Sequence, residues 1–372
     1  MARKVVLVMS SRCLKGFALK VALFVILTIL GDRVAYAQTS FFLGVSYFGA
    51  IGDTTNWPTG LGRYVKADLD FLASLGYKGV RVWATWDMPN PTTPSLIFSD
   101  GSVNANAMGR FQNMTSYAKT KGIGIDLTFS YGVFTGSIGG DFNKYVTGIA
   151  NVTNALKNNP AYSEVGFDVC NECMGTGLTF TQMRQLIDTV RSLDPGRKVF
   201  ISFAGGTSIT TATVAAGYYN NLSRELNYVA PHFFRDCSYA WSINTGSRLN
   251  TFHTSLNPGY QSIPIYLQEE NRRDYTGDGC DDGDSHPPFT FGPIGNGYEV
   301  SFNDLDTSSF QAKNNGSHSA RLWIFHNEAG FNVSSNTMCR QFDSVEFNAL
   351  YDLACNRLNI CPPLPHNPCP QP

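Results

Sequence analysis

The chain has 372 residues, of which 43% are hydrophobic, 13% aromatic and only 15% charged, with a net charge of −1. Such a balance supplies no basic field to hold a phosphate backbone, which excludes nucleic acid as an expected partner. A weakly charged, ring-rich chain of this length suits one large core and a neutral ligand that stacks on aromatic faces.

At the N-terminus, Arg3, Lys4, Arg12, Lys15 and Lys20 precede the apolar run from Val21 to Leu30. That run is much shorter than the roughly 20 residues a bilayer span needs. Ala35-Tyr36-Ala37 then offers small residues at the positions a signal peptidase reads. Residues 1–37 are therefore expected to be a secretory signal, cut before Gln38, leaving a secreted or periplasmic protein with no membrane contact. The nine cysteines become an even set once Cys13 leaves, and an even set in an exported chain favours disulfides. Cys237 with Cys280 is the expected pair, because both fall in loops after neighbouring predicted strands. Cys170 and Cys173 bracket Asn171-Glu172 and admit either zinc or a disulfide, but no second Cys-x-x-Cys supplies the other two zinc ligands.

The predicted elements alternate. Strand one is Phe41 to Phe48, and a helix from Leu61 to Leu75 follows with apolar residues at Leu61, Val65, Leu69, Leu72 and Leu75. Gly79 to Trp86 is strand two, Ala105 to Lys121 a helix stopped by Gly122, and Ile123 to Phe129 strand three. A helix from Tyr145 to Lys157 leads to strand four, Val165 to Asn171. Thr179 caps a helix running to Leu193, and Lys198 to Phe203 is strand five. Next come a helix from Thr211 to Leu226, strand six from Tyr228 to Phe234, a short helix from Ser247 to Leu256, and strand seven from Ile263 to Gln268. A polar insertion, Asn271 to Gly297, precedes a helix at Asp304 to Lys313, strand eight at Ala320 to His326 and a closing helix at Val345 to Arg357. Eight near-continuous apolar strands alternating with helices predict a single-domain α/β fold, a (β/α)8 TIM barrel over residues 38–358. Residues 359–372 form a Pro- and Cys-containing tail.

In such a barrel the chemistry lies at the carboxyl ends of the strands. That rule selects Arg81, Trp83 and Trp86 on strand two, Asp126 on strand three, Asn171 and Glu172 on strand four, and His232 on strand six. It also selects Glu269 and Glu270 after strand seven, and Trp323 on strand eight. Two carboxyls on different strands are the minimum apparatus for cleaving a glycosidic bond: one protonates the leaving oxygen and the other attacks the anomeric carbon. Arg81 would keep the attacking carboxylate ionised. Asn171 would hydrogen-bond a sugar hydroxyl, and the indoles, Trp241 included, would offer flat faces to pyranose rings. Asp278, Asp281, Asp282 and Asp284 lack the twelve-residue calcium-loop pattern and read as a solvated acidic loop, so no metal or cofactor is expected.

At these residues the chain resembles a clan A glycoside hydrolase, nearest to the family 5 cellulases and mannanases. Phe167-Asp168-Val169-Cys170-Asn171-Glu172 matches the Asn-Glu that ends strand four in that family, and Pro264-Ile265-Tyr266-Leu267-Gln268-Glu269 resembles its strand-seven motif. The resemblance implies a secreted, retaining β-glycoside hydrolase of endo-glucanase or mannanase type. Glu172 would be the acid/base and Glu269 the nucleophile, with Glu270 the fallback. Arg81, Trp83, Trp86, Asp126, Asn171, His232 and Trp323 would bind a neutral polysaccharide or oligosaccharide, and the protein would be a monomer. The chain departs from the family pattern at Cys173, where proline is usual, and at Phe234, where tyrosine is usual. Those departures keep a second reading in view, a non-catalytic glycan-binding protein on a degenerate barrel.

Overall fold

The computed structural model describes residues 40–47, 50–85, 95–131, 140–204, 209–233, 241–270, 302–325, 351 and 353–360. The strands are β1 (Phe42–Ser46), β2 (Gly79–Trp83), β3 (Gly124–Thr128), β4 (Val165–Asp168), β5 (Lys198–Phe200), β6 (Ser202–Ala204), β7 (Ala230–His232), β8 (Tyr266–Glu270) and β9 (Leu322–Phe325). Between them run α1 (Arg63–Ser74), α2 (Ala105–Thr120), α3 (Phe142–Leu156), α4 (Phe180–Leu193), α5 (Ile209–Leu222), α6 (Trp241–Ser255) and α7 (Phe302–Lys313). The helix α6 starts six residues before its predicted start at Ser247 and ends one before its predicted end. Of the predicted closing helix, only residues 351 and 353–357 are described, and Leu353–Arg357 forms a π-helical turn.

Seven strands pair in the order β5-β4-β3-β2-β1-β9-β8, and β6 pairs with β7. Every one of these pairings is parallel. Predicted strand five is one stretch of chain that changes partner at Ile201: β5 pairs with β4, and β6 pairs with β7. A parallel bridge between Val229 and Ile265 then links β7 to β8. The circle of strands is thereby completed, and the expected (β/α)8 barrel is the observed fold.

Local chemistry sets the helix ends. Thr179 caps α4, as the sequence predicts, and it does so in a reciprocal capping box with Gln182. Asn104 caps α2 and Asp141 caps α3 through their side-chain oxygens. The start of α1 is capped from a distance, with the Asp53 carboxylate accepting from the backbone N–H groups of Tyr64 and Val65 at 2.9 and 3.0 Å. A Cβ at Gly62 would lie 2.2 Å from that carboxylate, so glycine is required there. The main core lies between sheet and helices. Val80, Val82, Ile125, Leu127 and Phe167 on the strands are buried in one cluster with Leu69, Leu72, Phe111, Ile149, Val152, Met183 and Leu186 on the helices.

Among the described residues, no helix is long and apolar enough to cross a membrane. Residues 1–37, the 271–297 insertion, residues 361–372, Trp86, Phe234, Cys237, Cys280 and His326 lie outside the described residues.

Candidate active site

Arg81 stands at the centre. Its guanidinium is completely buried, a condition tolerated only with partners for charge and N–H groups alike. Nη1 donates to Glu269 Oε1 at 2.7 Å, Nη2 donates to Asn171 Oδ1 at 2.7 Å, and Nε donates to Thr128 Oγ1 at 2.9 Å. Asp168 Oδ2 lies 3.7 Å away. The ring of Trp83, two residues on along β2 and therefore on the same face, lies 4.3 Å from the guanidinium carbon. Arg81 thus ties β2 to β3, β4 and β8.

Glu172 and Glu269 converge on His232. His232 Nδ1 lies 3.0 Å from Glu172 Oε1 and 3.4 Å from Glu269 Oε2. The three ligand-type atoms of Glu172, His232 and Glu269 all lie within 4.8 Å of one another. Glu172 is the open member, with a side chain 40% exposed, whereas that of Glu269 is 8% exposed. The trio has the span a metal ion would need, but His232 Nδ1 is hydrogen-bonded to Glu172 and Glu269 Oε1 to Arg81.

Two backbone irregularities aim these carboxyls. Glu172 has φ 48° and ψ 44°, a left-handed conformation that ordinary side chains adopt at a cost. It sits where the chain leaves β4, in a loop closed by a disulfide between Cys170 and Cys173. That bond engages both sulfurs and removes the pair as zinc ligands. The backbone N–H of Glu172 donates to Ser202 Oγ, and Ser202 Oγ donates to Asp168 Oδ2. The second irregularity is in β8, where the register against β9 shifts between Leu267 and Glu270. In a regular strand Gln268 and Glu269 would face opposite sides, but a bulge lets both face inward.

Gln268 is a site residue that sequence reasoning missed. It is buried completely; its Nε2 donates to Asp126 Oδ2, and its Oε1 lies 3.0 Å from His232 Nε2. With the amide so oriented, His232 Nε2 carries a hydrogen and Nδ1 is left to the two glutamates. Burial pulls the imidazole down, but the Glu269 charge and the Glu172 hydrogen bond outweigh it and raise His232 above its ordinary range. Asp126 is pushed up to about 7, chiefly by burial, with Arg81 opposing and the Asp168 charge adding. Asp168 is likewise raised by burial, against Arg81 and the Ser202 hydrogen bond. Asp168, Ser202 and Thr128 were also missed. The one signal for Asp168 was a carboxylate interrupting an otherwise apolar strand.

Not every expected ligand residue reaches the mouth. Asp126 lies below the carboxyls, against Gln268 and Thr128. Trp323 is a correction: it is fully buried, and its indole N–H donates to Ser308 of α7, because alternation on β9 turns position 323 toward the helices. Of Glu270 only the backbone is described.

Comparison with solved structures places this barrel among known ones. A family 5 mannosidase from Rhizomucor miehei superposes with a TM-score of 0.59 at 12% identity, covering 87% of this chain and 94% of that one. The chain carries the barrel of the family 5 glycoside hydrolases. A family 5 enzyme from Prevotella bryantii B14 gives a TM-score of 0.56 at 15% identity, covering 86% of this chain and 97% of that chain. The endo-β-1,4-mannanase from Thermotoga petrophila gives 0.52 at 12% identity, covering 85% and 76%. No family model and no curated protein sequence matches.

Proposed function

We propose that the protein is a secreted, retaining β-glycoside hydrolase acting on a neutral β-linked glucan or mannan, with Glu269 as nucleophile and Glu172 as acid/base. The observation that carries this reading is the meeting of two carboxyls from distant strands within 4.8 Å at His232. One oxygen of each carboxyl lies within 4.8 Å of the other's, which supports the close pair of double displacement, roughly 5–5.5 Å between carboxyls, over the wider pair, roughly 6.5–9.5 Å, that an inverting water requires. The Glu269 carboxylate, its charge balanced by Arg81, attacks the anomeric carbon and forms a glycosyl ester. The more exposed Glu172 gives its proton to the departing oxygen. Glu172 then takes a proton from water, which cleaves the ester and restores both groups. Mannosidases and an endo-mannanase among the structural neighbours support the substrate class.

The test is turnover and stereochemistry on a panel of β-glucans and β-mannans. Glu172→Gln and Glu269→Gln should each lower kcat by about 10³-fold or more with the fold intact, and the first anomer released by the native protein should be β. Near-native rates in either variant, or α-anomer first, would overturn the assignment. Saturable glycan binding without release of reducing ends would instead support the binding-only alternative.

A further inference from the structure

Below the carboxyls the barrel interior is only partly filled. Arg81, Asp126 and Asp168 face the interior, so strand alternation places Gly79, Gly124 and Gly166 on the same face one layer down. Gly44 is in register with Gly79, and Gly79 with Gly124. Barrel interiors are usually filled by bulky branched side chains in that layer. Here β1 to β4 contribute glycines, and Ile324, Leu322 and Phe200 reach to 3.1, 3.1 and 3.2 Å of where Cβ atoms on Gly44, Gly79 and Gly166 would lie.

Aromatic rings lean in from the opposite wall. Tyr228 and Tyr266 stack with centroids 3.7 Å apart, and Phe200 meets them edge-on at 5.5 and 5.9 Å. They do not fill the space. A cavity of about 380 Å³ remains, bounded by these rings, Phe42, Leu322, the glycines Gly79, Gly124 and Gly166, and Asp126. That volume lies within the range of small-molecule sites, roughly 300–1,000 Å³. Its rim is made of residues at the amino ends of strands, on the side away from Glu172 and Glu269.

The rim is cationic. Lys198 is paired with Glu164 at 3.2 Å. Lys78 and Arg321 also line the cavity, and among the described residues neither has a carboxylate partner. The Arg321 guanidinium lies 5.1 Å over the Phe42 ring. Lys78 precedes β2 and Arg321 precedes β9, the two strands that flank β1. By register Lys78 is level with Leu43 and Arg321 with Phe41, so the two cations stand about 12 Å apart at the backbone, two strand spacings across and two residues along, on one side of an aromatic hollow.

We propose that the barrel floor is a second ligand site, for a small aromatic monocarboxylate whose carboxylate lies between Lys78 and Arg321 and whose ring enters the hollow beside Gly124. One ring with a short stem matches the volume, and a carboxylate answers the positive charge of Lys78 and Arg321 that is left over after Lys198 and Glu164 cancel. The site is separate from Glu172 and Glu269, so the proposal goes beyond the glycosidase reading.

Calorimetric titration of the full chain with cinnamate tests it, with cinnamyl alcohol, hexanoate and inorganic phosphate as controls. Cinnamate should bind saturably at one site, and each control at least about tenfold more weakly. Lys78→Ala with Arg321→Ala should weaken cinnamate about tenfold or more, and Gly124→Leu should abolish binding by filling the hollow. Should Gly124→Leu not fold, Gly124→Ala serves: its new Cβ meets only backbone oxygens at 3.6 and 3.7 Å, and it should weaken cinnamate severalfold. Glu172→Gln should bind cinnamate as the native chain does, which separates this site from the catalytic one. No saturation by about 10 mM cinnamate, equal binding of phosphate, or unchanged affinity in the Gly124 variant would overturn the proposal.

Discussion

Replacing Asp126 with asparagine tests the electrostatics of the barrel interior. The carboxyl is buried and its proton is held up to about 7, against an ordinary value of 3.8. Each tenfold change in proton affinity corresponds to about 1.4 kcal/mol, so the full difference amounts to about 4 kcal/mol. Asp168 and Arg81 share that charge network, so about 2–4 kcal/mol is the expected effect of Asp126 alone. The sign follows from which state releases its proton first. Below pH 3.8 both states are protonated and nothing is lost. Between 3.8 and about 7 the unfolded chain ionises while the folded chain does not, and stability falls as pH rises. The amide of Asp126→Asn does not titrate, and its oxygen still accepts from Gln268. At roughly 2.1 cal/mol/K per residue, about 2–4 kcal/mol is a difference of about 3–6 °C in Tm for a barrel of this size. The assay is thermal unfolding of both proteins across about pH 4–8.5, plotted as Tm of Asp126→Asn minus Tm of the native chain. The difference should climb with pH and level off above 7. A flat line would refute the reasoning, since it would mean that Asp126 ionises in the ordinary carboxylate range despite its burial.

Three further outcomes follow from the site. Arg81→Met strips the counter-charge from Glu269 and Asp168, and should destabilise the fold by about 3–5 kcal/mol in denaturant titration, with kcat falling in the same variant; a loss under 1 kcal/mol would contradict the central place given to Arg81. Cys173→Ser opens a loop of four residues, worth only about 2 kcal/mol of chain entropy, but frees Glu172; glycosidase activity should drop about tenfold or more while Tm moves by a few degrees, and proportional losses would argue against a positioning role. His232 has a raised pKa, so its contribution is complete below the unfolded value near 6.5 and is lost as pH rises through the higher folded value. The stability gap between the native chain and His232→Gln should therefore shrink by about 1–2 kcal/mol on going from pH 6 to pH 9, measured by denaturant unfolding at the two values.

The barrel was legible because its strands are apolar on both faces and its helices carry ordinary start and stop signals, such as Thr179 with Gln182 and Gly122 at φ 67°. Strand ends located Asn171, Glu172, His232 and Glu269 because polar residues that close apolar runs collect at one rim; Arg81, buried within β2, stood out as a charge inside an apolar strand. What stayed hidden depends on the third dimension. Gln268 follows Tyr266 by two and faces inward with it, while Glu269, its neighbour, joins it on that side only through the bulge in β8. Trp323 looked like a sugar platform because its position in the strand order matched, yet the parity of β9 sends it to Ser308. Cys170 and Cys173 had a spacing compatible with metal or disulfide, and the bond between them is settled by geometry.

Glu172 holds the left-handed region that glycine enters without strain. Exchanging it for glycine should therefore lengthen the protein's survival on heating by roughly 1 kcal/mol of relieved strain, while removing the carboxyl that the proposed chemistry needs. Evolution of this loop faces two incompatible goals at one position, durability and turnover. A library screened for thermal persistence alone would drift toward inactive barrels there, and one screened for both would have to find its gains elsewhere in the chain.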